Sequence, residues 1–215
     1  MQQSLALPQR GGRRAGAGRP ASRERPALPH LVREEVRPWQ PIHVTLRFAD
    51  SVWNLRSERS FAVIHGALTA ARTRQDARIT HFSVQGNHIH LVVEAASTAA
   101  LSNAVRSLSI RLAKRINRMM GRRGPVFEDR FHAHVLRTPT EVRNALRYVL
   151  ANFANHAAQR DERIREGWVD PYSSAVVKAP RTAQPSLFDA PTVKPARTWL
   201  LRRAALPEPA TARTR

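Results

Sequence analysis

Residues 77–95, ARITHFSVQGNHIHLVVEA, are two runs rich in β-branched and aliphatic residues that meet at Gln85-Gly86-Asn87. Such a pattern closes into an antiparallel hairpin, and a hairpin leaves two strand edges that the rest of the chain must pair or cover. In its second arm Ile89, Leu91 and Val93 point one way while His88, His90 and Glu94 point the other, because alternate side chains of a strand share a face. One side of this ribbon is suited to a core, and the opposite side carries polar groups.

The segments around the hairpin complete a sheet. PIHVTLRF, 41–48, alternates with Ile42, Val44, Leu46 and Phe48 on one side and predicts a strand. Residues 58–75 set Phe61, Ile64, Leu68 and Ala71 three and four apart, and residues 98–119 set Leu101, Val105, Leu108, Leu112, Ile116 and Met119 on one stripe, so both predict amphipathic helices. GRRGP at 121–125 ends the second helix, and VFEDRFHAHVLR, 126–137, reads as extended. A last helix starts at Thr138-Pro139-Thr140-Glu141, where Thr138 and Glu141 have capping-box spacing and proline takes the first helical position. It buries Val142, Ala145, Leu146, Val149, Leu150 and Phe153. The order β, α, β, β, α, β, then α is that of an α+β, ferredoxin-like split βαβ sandwich, an antiparallel sheet with helices on one face.

The flanks differ in kind. Residues 1–40 hold eight Arg against three Glu among many Gly and Pro, with no helical or strand period, and predict a basic flexible arm. From 158 to 215 proline recurs among Ala, Thr and Arg, which predicts a mostly disordered extension. Within it WLLRRAAL, Trp199 to Leu206, has the makings of a short docking helix. The folded unit is thus expected over 41–157, and a chain trimmed to about 38–178 is expected to keep its chemistry.

Charge narrows the partner. Lys and Arg number 36 against 16 Asp and Glu, a net charge of +20, which draws the chain to a polyanion and exceeds what a small acidic substrate requires. Residues 98–158 hold 11 Lys and Arg against 3 acids. Among them Arg111, Arg115, Arg118 and Arg122 recur at spacings of four, three and four, with no acid between to relieve their repulsion. A stripe of this kind is a solubilising helix face or a phosphate-binding one. With no Cys, thiolate metal sites and cysteine nucleophiles are excluded. Lacking a long apolar run or a signal-like start, the chain is expected to be cytoplasmic, with no membrane association.

Two features offer chemistry. His88 and His90, on one face of a strand, are two neutral nitrogen ligands that suit a divalent transition metal, or else two hydrogen-bonded surface imidazoles. Tyr148 lies within the last helix on the flank of its apolar stripe, one turn before Asn152. Its ring either packs on the core with the oxygen at the surface or serves as a nucleophile, which requires a neighbouring cation and an activated phosphate. Tyr172, in the turn-like DPYSS, is the other tyrosine of the chain.

Taken together, NHIHLVVE, the basic helix after it, VFEDRFHAHVLR and LRYVLANF resemble the single-tyrosine HUH transposases (IS200-like transposases), especially the REP-associated tyrosine transposases, over residues 41–157. That family carries His-hydrophobe-His on a central strand, here His88-Ile89-His90, and a lone helical tyrosine downstream, here Tyr148. The resemblance implies a divalent metal, Mg²⁺ or Mn²⁺, held by His88, His90 and Asn152. It further implies cleavage of single-stranded or hairpin DNA by the Tyr148 oxygen, then strand transfer from a 5′-phosphotyrosine intermediate by a monomer or homodimer. Arg147 and the Arg111, Arg115, Arg118 and Arg122 stripe would hold the DNA backbone. The family commonly has Asn-Pro after this helix, whereas Asn152 is followed by Phe153. Two other classes fit parts of the pattern: a non-catalytic nucleic-acid-binding module, disfavoured by the lack of stacking aromatics on the strands, and a replication initiator or relaxase.

Overall fold

A computed structural model describes residues 34–38, 40–159, 168–175 and 193–204. Most of the basic arm, the remainder of the extension and Leu206 lie outside the described residues. The element order is β1 (Pro41–Arg47), α1 (Glu58–Ala71), β2 (Ala77–Val84), β3 (His88–Ala95), α2 (Thr98–Met119), β4 (His132–Val135), α3 (Pro139–Gln159) and α4 (Trp199–Ala204). The strands form one sheet in the order β2-β3-β1-β4, and every neighbouring pair is antiparallel. This is the split βαβ arrangement read from the sequence. Of the extended segment 126–137, only residues 132–135 are a regular strand, with an isolated bridge from Phe127 to Phe48 preceding it.

Side-chain alternation fixes the register. Val44 stands opposite Leu91 and Leu46 opposite Ile89, so one face of the central strands is wholly aliphatic. Ile42, Val44, Leu46, Ile89, Leu91 and Val93 are all buried there with Phe61, Ile64 and Leu68 of α1 and Leu101, Leu108 and Leu112 of α2. Burial on this scale contributes about 1.5–3 kcal/mol for each large aliphatic side chain. Local signals set the helix ends: Ser57 and Ser97 accept N–H bonds from Ser60 and Ala100 as N-caps. Gly121 follows α2 with φ of 63°, the left-handed C′ position that glycine occupies without steric cost. At α3 the Thr138 hydroxyl accepts the Glu141 N–H at 3.1 Å, but the Glu141 carboxylate accepts from Arg137, one residue before the position a capping box would use.

The second face of the sheet is not open, as the sequence alone suggests, but covered. α1 and α2 share one side; α3, which follows the split βαβ unit, lies across the other, where Val142, Leu146 and Val149 bury Val92. The extension also enters the fold. Leu200 and Leu201 of α4 complete that small core. Glu94, buried on the same face, accepts N–H bonds from Arg197 and Thr198 at 2.7–3.0 Å. Further back, Asp170 takes a two-pronged pair from Arg56 at 2.8 and 2.9 Å, and Ser173 bridges to Ser83 on the β2 edge. The expectation of a mostly disordered extension therefore does not hold for 168–175 and 193–204. Its anchors are single residues scattered among prolines, which no periodicity reveals.

Candidate active site

The polar face of the sheet concentrates imidazoles. β3 brings His88 and His90 with ring centroids 4.7 Å apart, and the antiparallel register places Arg47 opposite His88 and Thr45 opposite His90. His43, two residues before Thr45, lies 5.2 Å from the His90 ring. α3 then sets Tyr148 edge-on to both, 5.1 Å from His90 and 6.0 Å from His43. Two residues widely separated in sequence thus meet because α3 crosses the strand that carries the histidines. His90 is 4% exposed, whereas Tyr148 is 45% exposed, so the phenol is reachable from solvent while touching a buried imidazole.

Hydrogen bonds fix the ring orientations. The Asn87 Oδ1 lies 2.8 Å from His88 Nδ1; an amide oxygen accepts only, so Nδ1–H donates and Nε2 keeps its lone pair. His90 Nδ1 is engaged by Thr45 Oγ1 at 3.2 Å and by His43 Nε2 at 3.1 Å. Burial, with His132 and His134 nearby, lowers the His43 pKa to about 4, which keeps this third imidazole neutral at ordinary pH. Arg47 forms an ion pair with Glu128 at the exposed rim.

Asn152 is 1% exposed, and among the described residues neither Oδ1 nor Nδ2 has a hydrogen-bond partner. A buried amide left so costs about 1–3 kcal/mol, which a metal ligand or bound phosphate would offset. No cluster of three His, Asp or Glu arranged for a metal occurs among the described residues. Two oriented imidazoles, and an orphaned amide one turn beyond Tyr148 on its helix, are nevertheless donors of the kind that suit a divalent cation.

The remaining sequence candidates lie elsewhere. Arg147 is exposed on α3 beside Tyr148, but Arg111, Arg115 and Arg118 are exposed on α2, behind the opposite face of the sheet. Arg122 donates to the Ser51 and Pro125 carbonyls and ties the loop after α2 to the one after β1. Tyr172 packs edge-on against Phe61 at 4.9 Å and beneath Arg56, which accounts for it as a core residue. His43, Thr45 and Asn87 escape a reading by motif. Their signal is nonetheless present: His43 and Thr45 alternate with the core residues of β1 on the face that β1 shares with His88 and His90.

The family described as "Transposase IS200 like" matches residues 52–152, a span that contains His88, His90, Tyr148 and Asn152. No curated protein matches the chain. Among solved structures, a REP-associated tyrosine transposase bound to a REP hairpin has a similar fold, with a TM-score of 0.54 and 16% sequence identity over 78% of this chain and 94% of that one. The resemblance drawn from the sequence is thus met by two similarities: residues 52–152 are similar to the IS200-like transposase family, and the fold, α+β with helices packed on a four-stranded antiparallel sheet, is similar to that of the REP-associated tyrosine transposase. No helix among the described residues is long and apolar enough to cross a membrane.

Proposed function

We propose that the protein is a DNA transposase that cleaves single strands with Tyr148 and rejoins them by strand transfer. The observation that carries this reading is the contact of the exposed Tyr148 ring with His90 at 5.1 Å, beside His88 and inside the span similar to IS200-like transposases. In-line attack by the Tyr148 oxygen forms an O–P bond while the bond from phosphorus to the 3′ oxygen breaks. The phenol loses a proton and the departing 3′ oxygen gains one. The products are a 5′-phosphotyrosyl protein and a free 3′-OH, and since the link is still a phosphodiester, a second 3′-OH reverses the step on a new strand without an external energy source.

His88, His90 and Asn152 would hold Mg²⁺ or Mn²⁺, which supplies charge neutralisation at the scissile phosphate. Asn87 and Thr45 keep the two imidazoles aimed, a constraint that phosphoryl transfer rewards because it depends on positioning more than on acid chemistry. Arg147 holds the backbone next to the nucleophile. Arg111, Arg115, Arg118 and Arg122 supply longer-range attraction to single-stranded or hairpin DNA. A monomer or homodimer in the bacterial cytoplasm, associated with the nucleoid, suits this activity.

The test is a covalent adduct on single-stranded hairpin DNA with Mn²⁺ or Mg²⁺. Wild type should form a denaturant-resistant protein–DNA species that chelator prevents; Tyr148→Phe should form none while binding DNA with nearly unchanged affinity. An adduct mapped to Tyr172, or full cleavage by Tyr148→Phe, overturns the assignment.

A further inference from the structure

At the far end of β3 from His88 the surface holds a cleft that the reaction leaves unused. It encloses about 420 Å³ where β2 and β3 end beside the start of α4, with Arg78, Glu94, Arg197 and Trp199 in its wall. Trp199 is 59% exposed although its neighbours Leu200 and Leu201 are buried. An anchored segment is thus holding an indole out over a cleft, and large exposed aromatics are where interaction sites are found. The Arg203 guanidinium lies 5.6 Å from the ring centre.

The charge around the cleft is unbalanced. Glu94 is already occupied by the Arg197 and Thr198 N–H groups, and Arg78 reaches it only at 3.5 Å, leaving its buried Nη1 without a hydrogen-bond partner among the described residues. Asp76 is held by Arg74 at 2.6 Å. Arg72, Arg78 and Arg197 all press on Lys194, whose pKa falls through desolvation and their positive charge. Crowded cations with an unsatisfied guanidinium N–H describe a place for an anion, and the indole adds a surface for a flat ring. Val92, between Glu94 and His90 on β3, is buried by α3 and α4, so the cleft is separate from the Tyr148 site.

We propose that this cleft binds an unpaired nucleotide of single-stranded DNA, its base stacked on Trp199 and its phosphate held by Arg78 and Arg197. Stacking platforms flanked by basic side chains are how proteins take single strands without reading sequence. The proposal rests on the reading of the chain as a DNA-processing protein, but its test does not pass through Tyr148.

Binding of short oligothymidylate and of a blunt hairpin would be measured at low salt with full-length wild type, Trp199→Ala, Trp199→Phe and Arg197→Ala. Trp199→Ala should weaken oligothymidylate binding about tenfold, Trp199→Phe should largely restore it, and Arg197→Ala should flatten the salt dependence by about one unit of slope. Blunt-hairpin affinity should stay unchanged in both Trp199 variants. Equal oligothymidylate affinity of Trp199→Ala and wild type overturns the proposal. So does an equal loss on the blunt hairpin, which would mean a duplex-backbone site. Should wild type bind oligothymidylate in this manner but form no Tyr148 adduct, the cleft stands and the catalytic reading falls.

Discussion

The two faces of the one sheet are built from the same strands and could hardly differ more. On one, Ile42, Val44, Leu46, Ile89, Leu91 and Val93 meet α1 and α2 in an unbroken aliphatic layer. On the other, the alternate residues His43, Thr45, His88 and His90 lie near α3, with only Val92 joining the small core that α3 and α4 form. Burying imidazoles and an amide under a helix gains little stability and costs desolvation. The difference implies that the first face determines whether the chain folds, while the second is retained for what it binds. Mutations on the two faces should therefore separate stability from chemistry.

The largest effect should come from removing what holds the polar face closed. Ending the chain after residue 178 deletes Leu200 and Leu201 from beneath α3 and strips Glu94 of its two backbone donors. Each deleted leucine costs about 1.5–3 kcal/mol, and an unsatisfied buried carboxylate adds to that. The trimmed chain, expected from sequence to keep its activity, should instead melt well below full length and lose the Tyr148 adduct. Thermal melts alongside an adduct gel check this; an unaltered melting temperature would show that α4 is ornamental to the fold.

A paired substitution on adjacent residues of β3 comes next. Leu91→Ala, on the aliphatic face, should lower stability by about 2–5 kcal/mol yet leave metal-dependent cleavage intact in the molecules that remain folded. His90→Ala should do the reverse, abolishing cleavage with a smaller stability loss, and His88→Ala should behave like it with less effect on stability because it is more exposed. If His90→Ala unfolds the domain and metal has no influence on wild type, the imidazoles are structural and the comparison of faces collapses.

What could be read from sequence follows the same division. The aliphatic face was legible because periodicity reports it: the stripe Leu101 to Ile116 and the alternation of β1 and β3 locate α2, β1 and the hairpin to within a residue or two. The meeting of Tyr148 with His90 was legible only through a motif, for nothing in helix geometry aims a residue at a strand 58 positions earlier. α4 was legible only as a candidate short helix at Trp199 to Leu206, with nothing to say where it docks, and the Arg56–Asp170 pair was not legible at all. They depend on a pairing across 114 residues of chain for the ion pair and on two leucines in a six-residue helix, too little signal for any pattern. His43 is visible yet ambiguous, because the polar side of β1 resembles a solvated side until α3 is placed over it.

Asn152 offers a finer test. Replacing its unpaired buried amide in Asn152→Ala removes an unsatisfied group worth about 1–3 kcal/mol along with some packing, so stability should change by no more than about 1 kcal/mol in either direction. Mn²⁺ should raise the melting temperature of wild type, by about 2.7 kcal/mol of added stability at a concentration a hundredfold above its Kd, and should raise that of Asn152→Ala much less. An equal shift in both proteins would remove Asn152 from the metal site and leave its burial to be explained by bound phosphate.

The smallest effect is expected where the basic stripe lies. Arg111, Arg115 and Arg118 are exposed on α2, beyond the aliphatic layer from Tyr148, so they would not touch a phosphate placed for attack by Tyr148. Under the proposed function their contribution would be attraction of backbone passing behind or around the sheet, which is salt-dependent and blind to sequence. Changing all three to Gln should weaken hairpin binding at low salt and reduce the slope of log affinity against log salt by about one unit for each phosphate that is no longer neutralised. Adduct yield at saturating DNA should stay at the wild-type level. A fall in that yield with unchanged affinity would place the stripe in the chemistry and require a DNA path that joins the two faces, whereas an unchanged slope would reduce it to a solubilising surface of α2.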